Sequence, residues 1–207
     1  MRILITGATG FVGTHLIPEL GRVLGKDAII VPTARHADRL PGLGEAAPLD
    51  VTDQEAIDRV VGDLAPTHII HLAAISSLLH ASVDPKAAWT INTFGTLNVA
   101  HAILRRAPWC WLIFAGSGLV YGDTAKSGRP LDETALLAPN SDYSVTKAAA
   151  DLGLGALIGR GSEVGPPPAV QSHRAGADRR LRRAEIRSSD CPHPGGSAAA
   201  GTAGRKS

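Results

Sequence analysis

Residues spaced by four at two places in this sequence could carry out acid–base chemistry. Tyr143 precedes Lys147 by four residues in a segment with a helical pattern, which places both side chains on one helix face. A phenol with a pKa near ~10 is a poor acid–base catalyst at neutral pH, but an adjacent ammonium stabilises the phenolate and lowers that pKa. The pair therefore predicts proton transfer by Tyr143, supported by Lys147.

Ser117 is the third candidate, and it precedes Tyr121 by four residues at the end of a predicted strand. A serine hydroxyl there would hydrogen-bond the substrate oxygen that gains or loses a proton. It would align that oxygen with the phenol while a hydride moves to or from a nicotinamide. The sequence thus predicts Ser117, Tyr143 and Lys147 as the catalytic residues of a hydride transfer.

A glycine-rich turn directly follows the first strand and indicates where a dinucleotide would bind. In this turn Gly7 permits a sharp bend, Gly10 lets the backbone approach a pyrophosphate, and Gly13 lets the next helix pack closely on the strand. The phosphates would face the N-terminus of that helix. The predicted cofactor-binding residues of the turn are Gly7, Thr9, Gly10, Phe11, Val12 and Gly13.

The second strand ends at Thr33-Ala34-Arg35, where dinucleotide enzymes select their cofactor. An acid at this point accepts the ribose 2′-hydroxyl, whereas an arginine suits a 2′-phosphate, so Arg35 favours NADP. Arg35 could instead be a solvated surface residue, and His36 and Arg39 could share its role. Asp50 could accept a hydrogen bond from the adenine amino group or cap the following helix.

Strands and helices alternate along residues 1 to 158, which predicts an α/β fold with a parallel sheet covered on both faces. The predicted strands are 2–6, 28–33, 68–74 and 109–115. The predicted helices are 11–24, 53–61, about 84–104 and 141 to about 158, with Thr52 or Asp53 capping the second.

The composition of the chain limits the classes of protein to which it can belong. The 207 residues, 44% apolar, suffice for one compact domain of moderate size, and the longest apolar runs are too short for a membrane helix. With no secretory signal, we expect a cytoplasmic protein. Cys110 and Cys191 lack the spacing of metal ligands, so neither a disulfide framework nor a metal site is expected.

The ordered motifs resemble the extended short-chain dehydrogenase/reductases, the NAD-dependent epimerase/dehydratase family, over residues 1 to about 158. The resembling segments are Thr6 to Gly13, Asp50-Val51, His71-Leu72-Ala73-Ala74, Ile91 to Thr96 around Asn92, Val120-Tyr121-Gly122 and Tyr143 to Lys147. The resemblance implies a doubly wound Rossmann-type sheet that binds NAD(P). It also implies Asn92 as a catalytic residue that supports Lys147, and Val51, Leu72, Ala73 and Ala74, together with Tyr143 and Lys147, as cofactor-binding residues.

Within the family, the residues after Ser117 distinguish the branches. Sugar 4,6-dehydratases of the family carry an acid and a base after the catalytic hydroxyl, where this sequence has Gly118 and Leu119. The sequence therefore looks most like the reductases of GDP-4-keto-6-deoxy-mannose that form GDP-rhamnose, with nucleotide-sugar 4-epimerases as the alternative. The resemblance further implies a nucleotide-sugar substrate and a homodimer that pairs the helix at 84–104 with the helix containing Tyr143.

Residues 159–207 differ in character from the rest. They carry 9 Lys and Arg against 4 Asp and Glu, and Ala, Gly, Pro and Arg fill 29 of the 49 positions. Such a stretch has too few large apolar residues to form a core, so we expect a basic, low-complexity, poorly ordered tail. Nucleic-acid binding by its arginines is not expected, because no aromatic residue is interleaved with them.

The same bias suggests that the tail is translated in a shifted reading frame. Reading each codon of Val170 to Asp178 from its second base permits F-N-H-T-G-P-G-Q-T, which looks like a segment that lines the sugar-nucleotide site of the family's reductases. The sequence thus predicts a frameshift near residues 159 to 162 and a fold truncated before the substrate domain. The chain would then be an impaired reductase or a non-catalytic cofactor-binding remnant, and Gln171, Ser172 and His173 would have no site role.

Overall fold

The structure is a computed structural model that describes residues 1–40, 44–132, 134–161 and 170–173. The described strands are β1 (Arg2–Thr6), β2 (Ile29–Ala34), β3 (Asp38–Leu40), β4 (Gly44–Pro48), β5 (His68–His71), β6 (Trp111–Ala115) and β7 (Val170–His173). The described α-helices are α1 (Phe11–Leu24), α2 (Gln54–Leu64), α3 (Leu78–Val83), α4 (Pro85–Ala88), α5 (Thr96–Arg106) and α6 (Asp142–Gly161).

All seven strands join one sheet in the order β3-β4-β2-β1-β5-β6-β7, and every pairing except β3 with β4 is parallel. The predicted Rossmann-type α/β fold is confirmed. The central strand β1 pairs with β2 on one side and β5 on the other, so the chain crosses over in opposite directions from it. In such a sheet, a crevice opens at the carboxyl ends of the strands beside the point of reversal.

Alternate residues of β1 enter two separate cores, as the period of two in a strand requires. Ile3 and Ile5 pack in the core that includes Ile17 of α1. Leu4 packs in the larger core on the other face, which contains buried residues from α2, α5 and α6. The sheet is thus covered on both faces by helices, and the turns that connect strands to helices gather at one edge.

The sequence did not predict the antiparallel pairing of β3 with β4. Leu40 of β3 pairs with Gly44, and β4 in turn pairs in parallel with the end of β2, where Thr33 stands opposite Ala47. The segments Asp38-Arg39-Leu40 and Gly44-Glu45-Ala46-Ala47-Pro48 contain no β-branched or aromatic residue, so neither shows the composition of a strand. This hairpin extends the sheet beyond β2 on the side of the predicted cofactor-selecting residue.

The predicted helix at 84–104 is present but not uniform. It starts as α4, passes through a π-helical segment at Trp89–Gly95, and continues as α5 to Arg106. A π-helical turn contains an extra residue, which changes the direction in which side chains project. Asn92 and Thr93 in this segment consequently reach α6, where Thr93 Oγ1 donates to the carbonyl of Thr146 at 2.9 Å.

Helix α6 extends to Gly161, three residues past the predicted boundary, and the backbone of β7 pairs with β6. The rest of the predicted tail, including Cys191, lies outside the described residues, so its order and reading frame stay predictions. Cys110 is buried in the larger core, and burial raises the pKa of its thiol to about 12. That thiol remains protonated at neutral pH.

Candidate functional site

A cleft of about 490 Å³ opens at the carboxyl ends of the central strands. Every predicted cofactor-binding residue lines this cleft, namely Gly7, Thr9, Gly10, Phe11, Val12, Gly13, Arg35, Asp50, Val51, Leu72, Ala73, Ala74, Tyr143 and Lys147. The fold therefore brings together segments that are up to 140 residues apart in the chain. Ser117 and Asn92 are not among the lining residues.

The cleft also has lining residues that sequence reasoning did not select. They are Ala34, Leu49, Ile75, Ser76, Ile91, Ala115 and Gly116. Most of them follow or end a strand, and the rule that ligands bind beyond the carboxyl ends of parallel strands could have identified these positions. Ile91 is different, because it comes from the π-helical segment and only the packing of that segment brings it to the cleft.

The glycine-rich turn is compact enough that two of its glycines have no room for a side chain. Gly7 has a positive φ of 69°, and a Cβ there would lie 2.6 Å from the backbone nitrogen of Ala73. A Cβ on Gly13 would overlap the carbonyl oxygen of Ala8, so α1 could not pack so closely on the turn after β1. Helix α1 begins after Gly10, and no side chain caps it. Its first N–H groups thus suit an anion such as a pyrophosphate.

Asp50 and Arg35 line the same cleft as the predicted catalytic pair. Asp50 Oδ1 accepts hydrogen bonds from the backbone nitrogen and the hydroxyl of Thr52, both at 2.8 Å. The backbone bond to Thr52 is the main cause of the lowered pKa of Asp50, with smaller contributions from the Thr52 hydroxyl, Arg35 and His36. The capping alternative for Asp50 is wrong, because Asp53 caps α2 by accepting from the nitrogen of Ala56 at 3.0 Å.

Tyr143 and Lys147 project from the first turns of α6 into the cleft. The Lys147 side chain is buried, and its Nζ lies 4.1 Å from the centroid of the Phe114 ring. Burial lowers the pKa of Lys147 to about 8, and the charge of Asp151 partly opposes this effect. An ammonium on the same helix face as Tyr143 is the arrangement that stabilises a phenolate.

Ser117 lies immediately after the lining residue Gly116. Its Oγ accepts from the nitrogen of Leu119 at 3.2 Å and caps the 3₁₀ segment Gly118–Ser127. A kink at Gly122, with φ of 43°, divides that segment. A Cβ on Gly122 would meet the carbonyl of Ala138, so the loop before α6 packs tightly on the 3₁₀ segment at this kink.

Asn92 is fully buried behind the cleft. Its Oδ1 accepts from the nitrogen of Ile75 at 2.8 Å, and its Nδ2 donates to the Ile75 carbonyl at 3.1 Å and to Thr146 Oγ1 at 3.1 Å. These hydrogen bonds hold the lining segment after β5 and the residue that precedes Lys147. The side chain of Asn92 thus contacts the backbone around the cleft, and its described hydrogen bonds do not include Lys147.

The described residues contain neither a membrane-spanning helix nor a metal-binding cluster. None of the helices in that part of the chain combines the length and the apolar character that a membrane crossing requires. The same residues contain no group of three His, Cys, Asp or Glu side chains positioned to hold a metal ion.

Comparison with known proteins extends these observations. The sequence model of the "NAD dependent epimerase/dehydratase family" matches residues 3–160 of this chain. The chain is 29% identical over 150 residues to GDP-6-deoxy-D-mannose reductase of Pseudomonas aeruginosa, covering 72% of this chain and 45% of that protein. It is 31% identical over 160 residues to dTDP-glucose 4,6-dehydratase of Mycobacterium tuberculosis, covering 73% of this chain and 47% of that protein.

Solved structures give the same picture. The UDP-glucose 4-epimerase of Thermus thermophilus in complex with NAD superposes with a TM-score of 0.70 at 28% identity, covering 84% of this chain and 54% of that one. The dTDP-4-dehydrorhamnose reductase of Bacillus anthracis in complex with NADP superposes with a TM-score of 0.63 at 28% identity, covering 84% and 52%. The chain spans about half the length of the curated relatives it matches.

Proposed function

The chain belongs to the NAD dependent epimerase/dehydratase family, and from this premise we propose that it is an NAD(P)-dependent oxidoreductase of nucleotide sugars. The proposed reaction is reduction of a GDP-4-keto-6-deoxy-hexose at a site formed by Ser117, Tyr143 and Lys147. One observation carries the proposal. A single cleft is lined by the glycine-rich turn, by Arg35 and Asp50, and by Tyr143 and Lys147.

The proposed cofactor is NADP(H), with NAD(H) as the alternative. The residues of the cleft fit a dinucleotide, since the glycine-rich turn leaves a cradle that a Cβ at Gly7 or Gly13 would obstruct. The pyrophosphate would lie at the N-terminus of α1, and Asp50 would serve the adenosine end. Arg35 is exposed at the end of β2 and lines the cleft, where it would contact a 2′-phosphate.

A reduced nicotinamide supplies a hydride to a carbonyl carbon. In the proposed reaction Tyr143 donates the phenol proton to the carbonyl oxygen at C4 of the sugar, which becomes a hydroxyl. Ser117 hydrogen-bonds the same oxygen and orients it. Lys147 stabilises the phenolate that remains, and Asn92 supports this arrangement through its bonds to Ile75 and Thr146. Solvent returns a proton to Tyr143 before the next turnover.

The substrate class rests on two points. GDP-6-deoxy-D-mannose reductase is among the relatives at 29% identity. Gly118 and Leu119, which follow Ser117, have no group that could give or take a proton, so elimination of water in the manner of a dehydratase is disfavoured. The similarity to the Thermus thermophilus epimerase supports a 4-epimerase as the second candidate.

We further propose that residues 1–158 are the NAD(P)-binding domain, that the protein is cytoplasmic and that it forms a homodimer. Phe94 in the π-helical segment and Leu152 in α6 are 57% and 62% exposed, and these are the two helices expected to pair. Phe94→Asp combined with Leu152→Asp should convert the dimer to a monomer in light scattering. Leu136→Asp, a change at an exposed loop leucine, is the control and should leave the mass unchanged.

The reductase assay separates the candidates. Purified protein is mixed with NADPH and GDP-4-keto-6-deoxy-mannose, with protein in excess over the sugar, and compared with Tyr143→Phe. We expect slow oxidation of NADPH that the variant loses while NADPH affinity stays within about twofold, because the phenol acts only during the chemical step. A parallel mixture holds NAD and a 4-hydroxy nucleotide sugar such as UDP-glucose, and inversion of its C4 hydroxyl with no net change in NAD would favour the epimerase. NADPH binding with no reaction in either protein would favour the non-catalytic remnant.

A further inference from the structure

A buried histidine behind the cleft takes no part in the proposed chemistry. His71 ends β5 and is 2% exposed. Burial, with a smaller contribution from the charge of Lys147, lowers the pKa of His71 to about 3. The ring is therefore neutral across the physiological range, so one nitrogen carries a proton and the other does not.

The hydrogen bonds around His71 determine which nitrogen carries the proton. Thr96 Oγ1 donates its single hydrogen to the carbonyl of Asn92 at 2.7 Å. It can therefore only accept from His71 Nε2, which lies 3.0 Å away and must carry the hydrogen. The unprotonated Nδ1 then accepts from Thr6 Oγ1 at 2.7 Å. Thr6 Oγ1 in turn accepts from the nitrogen of Ala73 at 3.3 Å.

These bonds form one directed chain behind the cleft. It runs from the N–H of Ala73 through Thr6, His71 and Thr96 to the carbonyl of Asn92. Ala73 lines the cleft, and the side chain of Asn92 holds Ile75, which lines it too. The imidazole thus joins β1, the segment after β5 and the π-helical segment.

The Phe114 ring lies close to both His71 and Lys147. The His71 and Phe114 rings are stacked at a centroid distance of 6.3 Å, and Lys147 Nζ lies 4.1 Å from the Phe114 centroid. Asp151, one turn further along α6, raises the pKa of Lys147, and Tyr143 lies one turn before it. A protonated imidazole here would place a second cation beside the buried ammonium.

We propose that His71 is a positioning residue for Lys147. As a neutral ring fixed in the Nε2–H tautomer, it forms with Phe114 the surroundings of the Lys147 ammonium. Its hydrogen bonds through Thr6 and Thr96 connect those surroundings to the backbone of the cleft at Ala73 and Asn92. The proposal rests on the proposed function, in which Lys147 acts on Tyr143. On this proposal a cation at position 71 is incompatible with the site. The hydrogen bonds of His71 to Thr6 and to Thr96 are both needed for its positioning role.

The test reads the two side chains directly by NMR and does not depend on turnover. In protein labelled with ¹⁵N-histidine, His71 should show a protonated Nε2 and an unprotonated Nδ1, unchanged down to at least pH 5. In protein labelled with ¹³C-lysine, Lys147 is assigned by its loss in Lys147→Arg, and its titration midpoint is measured. An Nδ1–H tautomer, or protonation of His71 above pH 5, would overturn the proposal.

Variants test the link to Lys147. His71→Leu removes both threonine bonds and should lower the titration midpoint of Lys147 by about half a pH unit or more, because an aliphatic group solvates an ammonium worse than a polar ring. It should also weaken NADPH binding by about tenfold, the scale of one net hydrogen bond. His71→Gln can restore the donor to Thr96, and His71→Asn the acceptor for Thr6, so each should recover part of both effects.

The matched control is His68→Leu, because His68 lies three residues earlier on β5. The native His68 ring is half-buried, and its Nδ1 lies 2.9 Å from Thr67 Oγ1. His68→Leu should leave the Lys147 midpoint unchanged. A folded His71→Leu protein with a native Lys147 midpoint would refute the positioning role. Failure of the native chain to bind NADPH would refute the proposed function instead, and the NMR results would still decide the role of His71.

Discussion

Replacing Lys147 by methionine should stabilise the unliganded protein while removing its proposed chemistry. Burial lowers the pKa of Lys147 from its ordinary 10.5 to about 8. At about 1.4 kcal/mol for each pKa unit, the buried ammonium costs about 3 kcal/mol of folding free energy at neutral pH. The contact with Phe114 returns about 1–2 kcal/mol of this. We therefore expect Lys147→Met to gain about 1–2 kcal/mol at pH 7, where its thioether fills the same apolar space.

The lowered pKa of Lys147 determines the direction in which its effect on the free energy of unfolding changes with pH. Below pH 8 the folded and unfolded chains both hold the lysine proton, so the penalty is constant. Between pH 8 and 10.5 the unfolded chain still binds a lysine proton that the folded chain has released, and the contribution of Lys147 to the free energy of unfolding therefore rises with pH in this window. The advantage of Lys147→Met should shrink across the same window and be absent above it.

The assay is urea unfolding followed by tryptophan fluorescence at several pH values from 6 to 10.5. In a thermal melt, the expected gain at pH 7 corresponds to an increase in Tm of about 2–8 °C for a chain of this size. Lys86→Met is the matched control, because Lys86 is exposed on α4 and its loss should change stability by less than about 0.5 kcal/mol. A Lys147→Met protein less stable than native at pH 7, or one whose advantage does not fade above pH 8, would refute the reasoning.

Three further predictions concern the cleft and the tail. Arg35→Ala should weaken NADPH binding by at least about tenfold in a fluorescence titration, the scale of a lost charge-assisted hydrogen bond, and leave NADH binding unchanged; equal or tighter NADH binding by the native protein would exclude the role of Arg35. Gly13→Ala should lose about 1–3 kcal/mol of unfolding free energy to overpacking against Ala8. Its control, Gly21→Ala on the same helix, meets nothing within 4 Å and should gain about 0.5–1 kcal/mol. Resequencing the gene across the codons for residues 159 to 178 tests the shifted frame, which fails if F-N-H-T-G-P-G-Q cannot be read there.

Features that depend on residues close in sequence could be predicted without the structure. The glycine-rich turn after β1, the pair Tyr143 and Lys147 on one face of α6, and the alternation of strands with helices all arise from spacings within a few residues. The parallel order of the strands then gathers their carboxyl ends, because each helix returns the chain to the same edge of the sheet. For that reason the residues predicted to bind cofactor all line one cleft.

Features that depend on distant partners were decided by the tertiary structure. The β3–β4 hairpin exists through pairing with β2, and the π-helical segment forms where Asn92 and Thr93 bond to Thr146 in α6. The protonation state of His71 follows from threonines on β1 and α5. Neither a helical period nor a β propensity encodes these side-chain hydrogen bonds, because each joins residues 25 or more positions apart. The pairing of β2 with β4 joins residues 14 positions apart, such as Thr33 and Ala47. Only the folded sheet brings these partners together.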